Sequence, residues 1–83
     1  MQKILITGGA GYIGTILTSM ALRKRYKVIA IDNLKHSKTS FLKEFLKKKN
    51  YKFFKCDINS SKNFEKILKK EKVDIIVHLA GIV

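Results

Sequence analysis

Apolar residues along the chain follow two different spacings, and these spacings predict the order of the elements. Runs rich in β-branched and aromatic residues predict buried β-strands at 3–7, 27–31, 51–55 and 73–79. Between the strands, apolar residues spaced by three and four predict amphipathic helices at 11–25, 39–49 and 61–71. The predicted order is therefore β-α-β-α-β-α-β.

The alternation of strands and helices predicts an α/β fold. Strands that are apolar along most of their length, separated by amphipathic helices, are typical of a parallel sheet covered on both faces. Right-handed crossovers leave few topologies, and the expected strand order is 3-2-1-4. The apolar stripe of the first helix, which would cover one face, consists of Ile13, Ile16, Leu17, Met20 and Ala21. Ser60 or Ser61 is placed to cap the third helix.

Four of the five glycines lie within residues 8–14, between the first strand and the first helix. Gly8 would permit a tight turn off the strand, and Gly11 would let a pyrophosphate approach the backbone closely. Gly14 would let the helix pack against the strand, while the helix N-terminus offers N–H groups and partial positive charge to phosphates. The strand, loop and helix around these glycines predict a dinucleotide site and a Rossmann-type three-layer sandwich.

An acidic residue closes the second strand, which is where a dinucleotide-binding fold places its ribose acceptor. Asp32 follows Gly14 by 18 residues, and its carboxylate would repel a 2′-phosphate. We therefore expect NAD, with NADP less favoured. Lys35 and His36 follow closely and keep the NADP alternative open, since either side chain could pair with a 2′-phosphate.

Composition narrows the class of protein. The 83 residues carry a net charge of +12, yet 46% of them are hydrophobic, which is enough to form a core and excludes a disordered polyelectrolyte. No apolar run approaches the ~18 residues of a membrane span. The single cysteine cannot form an internal disulfide and favours a reducing compartment, so we expect a cytoplasmic protein.

Four ordered motifs resemble the extended short-chain dehydrogenase/reductase family, in particular its nucleotide-sugar epimerases and dehydratases. The motifs are TGGAGYIG at 7–14, DNL at 32–34, CDI at 56–58 and HLAG at 78–81. The resemblance implies that residues 1–83 form an NAD(P)-binding segment, the first half of a larger doubly wound domain. In a complete relative, NAD would take a hydride from a sugar carbon of a nucleotide-sugar substrate.

The resemblance also implies a role for each matching position. Four groups of residues would surround the cofactor: the pyrophosphate loop, the ribose acceptors, the adenine contacts and the wall beside the cofactor. The pyrophosphate loop would consist of Gly8, Gly11, Tyr12, Ile13 and Gly14, and the ribose acceptors would be Asp32 and Asn33. The adenine would meet Asp57 and the Ile58 backbone, and the wall beside the cofactor would consist of Leu79, Ala80 and Gly81. Two positions depart from the family: Cys56 and Arg25 each stand where it commonly has glycine.

The family's chemistry depends on a Tyr-x-x-x-Lys pair on a later helix, and no such helix is predicted here. Tyr51 and Lys55 have the spacing, but along a strand they would lie about 13 Å apart. We therefore assign no catalytic residue. His78 is interpreted as a strand-end histidine with a satisfied hydrogen bond, and Cys56 as a small semi-buried side chain. No cluster of histidines and acids predicts a metal site.

Two alternatives to cofactor binding in an enzyme remain open. The chain could be a non-catalytic binding or assembly module, with a dimer formed through the exposed edge of the fourth strand. It could also bind nucleic acid, because lysines at 47–55 interleave with Tyr51, Phe53 and Phe54. We expect instead that these lysines face solvent and the three rings pack in the core, so no specific nucleic acid and no membrane is predicted as a partner.

Overall fold

The computed structural model describes residues 2–34 and 42–80, which contain seven elements. The strands are β1 (Lys3–Thr7), β2 (Lys27–Asp32), β3 (Tyr51–Lys55) and β4 (Ile75–His78), and the helices are α1 (Tyr12–Arg23), α2 (Leu42–Leu46) and α3 (Ser61–Glu71). The predicted element order is confirmed. Residues 39–41 of the predicted second helix lie outside the described ranges. None of the helices within those ranges is long and apolar enough to cross a membrane.

The four strands form one parallel sheet of order β3-β2-β1-β4, as predicted. β1 is central and pairs with β2 on one side and β4 on the other, with Thr7 opposite both Ile31 and His78. The order reverses between β1 and β4, because the chain moves outward through β2 and β3 and then returns. The carboxyl ends of β1 and β4 therefore flank the topological switch point, where open α/β sheets bind ligands.

Alternating side chains of the sheet form two cores, one on each face. Ile4, Ile6, Val28 and Ala30 pack on the α1 and α2 side. Leu5, Ile29 and Ile31 pack on the other side, against apolar residues of α3. The two covered faces make the three-layer α/β sandwich that the apolar strands predicted.

The first helix covers the sheet with only part of its predicted apolar stripe, since Ala21 is buried and Leu17 packs against the core while the other three positions are exposed. Ile13, Ile16 and Met20 are 59%, 46% and 50% exposed. The buried positions are instead small or hydroxyl-bearing: Gly14, Thr15, Thr18 and Ala21. Small side chains let the helix lie close to the sheet, and the Thr18 hydroxyl donates to the Gly14 carbonyl and so is satisfied within the helix.

The end of α1 carries the left-handed residue that the departure from glycine suggested. Arg25 has φ +67°, and its N–H donates to the Leu22 carbonyl. The next N–H, that of Tyr26, reaches back to Ala21, which completes a Schellman motif. A residue with a Cβ at this position costs on the order of 1 kcal/mol relative to glycine.

The third helix has the predicted bounds, but its cap differs from the expectation. Ser60 occupies the N-cap position, but its side chain makes no capping hydrogen bond to a backbone N–H of the helix. Its hydroxyl accepts a hydrogen bond from the side-chain amide of Asn63 at 3.2 Å. At the other end, Glu71 is buried and its carboxylate meets Lys52 of β3 at 3.4 Å and Lys3 of β1 at 3.8 Å. This carboxylate ties α3 to the amino end of the sheet, remote from the switch point.

Candidate functional site

The loop between β1 and α1 turns over the carboxyl end of the sheet. Gly8 has φ +71°, a conformation that favours glycine, so the turn predicted there is confirmed. The N–H groups of Gly8 and Gly9 both donate to the Ile31 carbonyl, at 2.8 and 3.1 Å. Gly11 then provides the N-cap of α1, whose first turn holds no acidic residue and no side-chain cap. The partial positive charge of this helix end is therefore free to meet an anion.

Close backbone packing explains two of the loop glycines. A Cβ on Gly14 would collide with the Gly8 carbonyl oxygen and lie 2.8 Å from the Gly9 Cα. Gly14 thus packs against Gly8 and Gly9 of the loop, whereas the sequence predicted that it packs against the strand. A Cβ on Gly9 would lie 2.6 Å from the Ala30 Cβ. Sequence analysis gave Gly9 no role, since only the tertiary contact with β2 reveals its constraint.

Asp32 joins the loop to the end of β2. Its side chain is buried, with Oδ2 accepting the Ala10 N–H at 2.9 Å and Oδ1 accepting the Leu34 N–H at 2.8 Å. Asp32 therefore holds the glycine loop in place from the strand end where the ribose acceptor was predicted. Asn33, the other predicted ribose contact, is exposed next to it.

The segment after β4 packs directly against the glycine loop. A Cβ on Gly8 would lie 3.0 Å from the Ala80 nitrogen and 3.2 Å from the Leu79 carbonyl carbon. The Thr7 hydroxyl receives the N–H groups of Leu79 and Ala80, at 3.0 and 3.2 Å. It also lies 2.7 Å from Nδ1 of His78, which confirms the satisfied hydrogen bond predicted for that histidine. Thr7 was missed from the sequence, although it directly precedes the loop.

The end of β3 carries the positions predicted for adenine contact. Asp57 is exposed, and its Oδ1 accepts the Asn59 N–H at 2.9 Å in an Asx turn. Ile58 is half-buried and packs in the α3-side core. Cys56 packs in the same core as a half-buried side chain, which agrees with its interpretation as a small apolar residue.

The structure brings most of the predicted positions to one edge of the sheet. Gly14 packs against the Gly8 backbone, the Asp32 carboxylate accepts the N–H of Ala10 in the same loop, and Leu79 and Ala80 lie beside Gly8. At the start of α1, Tyr12 is 82% exposed and Ile13 is also exposed. Gly81, Lys35 and His36 lie outside the described residues.

Tyr51 and Lys55 belong to β3, so the helical geometry of a Tyr-x-x-x-Lys pair is absent there. Tyr51 is buried against Phe45, with ring centroids 5.3 Å apart, while Phe53 and Phe54 pack against the two cores. Burial raises the pKa of Tyr51 to about 12, and the charge of Asp32 adds to the shift. Tyr51 is therefore enclosed, whereas Phe53 and Phe54 are half-buried, and Phe54 lines an open pocket together with Lys55, Lys66 and Lys70. No group of three or more metal-ligating side chains converges within the described ranges.

A parallel sheet of order 3-2-1-4 with a glycine loop at its switch point defines the Rossmann-type dinucleotide-binding class. Within that class, the family model for the NAD dependent epimerase/dehydratase family matches residues 4–83. The chain therefore belongs to the NAD dependent epimerase/dehydratase family, which confirms the resemblance seen in its motifs.

Similar proteins cover the same segment. The chain is 46% identical over 85 residues to the dTDP-D-glucose 4,6-dehydratase of Dictyostelium discoideum, covering 98% of this chain and 19% of the relative. The dTDP-glucose 4,6-dehydratase of Bacillus anthracis str. Ames, solved in complex with NAD, is 32% identical with a TM-score of 0.90, over 96% of this chain and 27% of that one. The UDP-Glc/GlcNAc 4-epimerase of Campylobacter jejuni is 31% identical with a TM-score of 0.92, and the match covers 100% of this chain and 25% of the epimerase. The chain thus spans about a fifth to a quarter of these proteins.

Proposed function

We propose that this chain is the NAD-binding segment of a nucleotide-sugar epimerase or dehydratase. The observation that carries the proposal is the convergence at the switch point: Asp32 holds the glycine loop by the Ala10 N–H, and the Leu79–Ala80 backbone lies against Gly8. The NAD complex of the similar Bacillus anthracis dehydratase supports the identity of the cofactor. Bound NAD supplies a hydride acceptor, and the described residues would bind and orient it.

The residues present fit a dinucleotide. The loop leaves no room for side chains at Gly9 and Gly14, so the backbone itself forms the surface beneath the pyrophosphate. The uncapped N-terminus of α1 would meet the phosphates through Tyr12 and Ile13. The Asp32 carboxylate at the end of β2 would accept hydrogen bonds from the ribose hydroxyls. Asn33 would also hold the ribose, and Asp57 and Ile58 would contact the adenine. Gly11 would belong to the pyrophosphate loop and Gly81 to the wall beside the cofactor.

Asp32 favours NAD over NADP in this proposal. The carboxylate is buried at the end of β2, where a 2′-phosphate would meet its negative charge with little water between them. Lys35 and His36, which kept the NADP alternative open, lie outside the described residues.

Calorimetric titration tests the proposal. NAD is expected to bind the folded chain and NADP to bind at least about tenfold more weakly, since like charges at close range cost more than about 1.4 kcal/mol. Asp32→Asn keeps the size of the side chain and removes its charge, but it also replaces one of the two oxygens that accept the Ala10 and Leu34 N–H groups by a donor, so urea unfolding of the variant is measured alongside. The substitution should weaken NAD binding and narrow the difference between the two cofactors. A folded chain that shows no heat with NAD at millimolar concentration would refute the proposed cofactor role.

A nucleotide-sugar would be the substrate of a protein in which this segment is accompanied by a catalytic region. That part of the proposal follows from the dehydratase and epimerase relatives, of which this chain covers 19% and 25%. No described residue is assigned to the chemical step, so the segment by itself is proposed to bind cofactor without turnover, in the reducing environment of the cytoplasm.

The edge of β4 favours a second role, self-association. β4 ends the sheet, and Ile75 and Ile76 on its two faces are 37% and 52% exposed. The opposite edge is β3, which carries exposed Lys52 and Lys55 of the kind that discourage edge pairing, whereas no lysine lies within β4. We propose that two copies of this segment can pair through β4. Sedimentation equilibrium should show a dimer that Ile76→Lys abolishes, and a monomer at all concentrations would refute the pairing.

A further inference from the structure

An open pocket, which we call the α3–β3 pocket, lies between the third helix and the edge strand β3. Its volume is about 320 Å³, which is within the range of small-molecule sites. Because β3 is an end strand of the sheet, the pocket opens at the outer edge, whereas the glycine loop lies at the switch point beside β1. The residues that line the pocket are Phe54, Lys55, Cys56, Asn63, Lys66, Ile67 and Lys70. The pocket and the glycine loop therefore have no residue in common.

The inner wall of the α3–β3 pocket is apolar. Phe54, Cys56 and Ile67 are half-buried and pack against the core on the α3 side of the sheet. Part of each side chain thus remains open to solvent. A flat apolar group placed on this wall would remove that surface from water, and Phe54 would add a contact between rings. The wall therefore favours a ligand with a flat apolar body over a bare ion.

The rim of the pocket is polar and basic. Asn63, Lys66 and Lys70 are separated by three and four residues, so they follow one another along the same side of α3. All three are exposed, and Lys55 lines the pocket from the end of β3. The pocket thus joins an apolar wall to three basic residues, a combination that suits an organic anion.

No carboxylate offsets this charge among the residues that line the pocket. Glu71, at the end of the same helix, pairs instead with Lys3 and Lys52 at the amino end of the sheet. Within the described ranges Lys66 and Lys70 make no ion pair, so a bound anion would relieve the repulsion between these neighbouring charges. A phosphate monoester suits the two lysines better than a carboxylate, because it carries a charge of about −1.5 to −2 at pH 7 and three acceptor oxygens.

We propose that the α3–β3 pocket binds a small phosphate monoester that carries a flat apolar ring. The ring would lie on the wall formed by Phe54 and Ile67, and the phosphate would meet Lys66 and Lys70 at the rim. The Asn63 amide has two N–H groups and donates one of them to Ser60, so the other would assist at the phosphate. This inference does not rest on NAD binding, because none of the positions proposed to contact the cofactor lines the pocket.

Titration of the ¹⁵N-labelled chain with 1-naphthyl phosphate tests the proposal, because this probe joins one flat ring system to one phosphate monoester. The largest changes in amide chemical shift should fall on residues 54–56 and 63–70, and they should persist when NAD is present in excess. Inorganic phosphate and 1-naphthol, the two halves of the probe, should each bind at least about tenfold more weakly than the whole. The proposal would be overturned by either half binding as tightly as the whole, by the largest changes falling on residues 8–14 and 32–34, or by no change at millimolar probe in a folded sample.

Two pairs of lysines on the same helix separate the pocket from the overall charge of the chain. Lys66→Gln combined with Lys70→Gln removes two charges from the rim and should weaken binding of the probe about fivefold to tenfold. Lys62→Gln combined with Lys69→Gln is the matched control, because it removes the same charge from exposed positions of α3 that do not line the pocket, and it should change the affinity less than about twofold. Circular dichroism verifies that both double variants are folded. An equal loss of affinity in the two would show that the net charge of +12 attracts any anion, and would refute the site.

Discussion

Replacing Gly9 by alanine tests the packing of the glycine loop on β2. The new Cβ would lie 2.6 Å from the Ala30 Cβ, and 3.2 Å from both the Ala30 Cα and the Ile6 carbonyl oxygen. Carbon atoms in contact normally lie about 3.5–4.0 Å apart, so the methyl group needs about 1 Å more room. Ala30 is fully buried in the central part of the sheet and Ile6 is backbone-paired on both sides, so neither can yield easily. We expect Gly9→Ala to lower the free energy of unfolding by about 2 kcal/mol, within the range for overpacked cores.

A double-mutant cycle identifies the contact responsible. Ala30→Gly removes the opposing methyl group and should cost about 1 kcal/mol by itself, through lost burial and a more flexible strand. In the double variant the two atoms that clash are no longer both present, so its loss should fall about 1 kcal/mol or more below the sum of the single losses. Urea unfolding followed by circular dichroism measures all four proteins. Single losses that add within about 0.3 kcal/mol, or a Gly9→Ala variant as stable as the parent, would refute the reasoning.

Three further predictions concern positions away from the loop. Arg25→Gly should stabilise the chain by up to about 1 kcal/mol in urea unfolding, because it relieves a left-handed residue at φ +67°, and a destabilised variant would contradict this. Tyr51→Phe should leave stability at pH 7 unchanged or higher by about 1 kcal/mol, since the Tyr51 hydroxyl is buried without a hydrogen-bond partner among the described residues. Because the pKa of Tyr51 is raised to about 12 in the folded state from 10.0, the parent loses stability as pH rises from about 10 to about 12, on the order of 2 kcal/mol relative to Tyr51→Phe. Tyr12→Phe is the control, because Tyr12 is exposed and its removal should leave the alkaline loss of stability as in the parent. If the parent and Tyr51→Phe lost equal stability between about pH 10 and about pH 12, burial of Tyr51 would not be the cause of that loss. Glu71→Gln should cost about 1–3 kcal/mol in thermal or urea unfolding, less than for a fully enclosed ion pair because both partner lysines reach solvent, and a neutral result would show that the carboxylate contributes shape alone.

The order of elements and of strands could be predicted because both depend on features written locally in the chain. The β-branched runs and the three-and-four spacing of apolar residues distinguish strand from helix, and crossover handedness then leaves one favoured topology. The place of Asp32 at the end of β2, beside the glycine loop, was predictable for a similar reason, since strand end and acid coincide in sequence. The left-handed Arg25 could be anticipated because the resemblance places a glycine, the residue that favours this conformation, at the turn between α1 and β2.

The features that escaped prediction depend on contacts between distant segments. Nothing near Gly9 in the sequence shows that Ala30 lies against it, and nothing near Thr7 shows that Leu79 and Ala80 donate to its hydroxyl. The stripe of Ile13, Ile16 and Met20 misled for another reason. Small residues of α1 approach the sheet most closely, so these three positions stay exposed while Leu17 and Ala21 of the same stripe pack in or against the core.

The most direct test of the central claim is a map of amide chemical shifts as NAD is added to the ¹⁵N-labelled chain. If the switch point is the cofactor site, the largest changes should fall on residues 8–14, 32–34 and 79–80, with few changes at the amino end of the sheet around Glu71. Changes confined to the lysine-rich surface at 47–55, or no changes at millimolar NAD in a folded sample, would contradict the account.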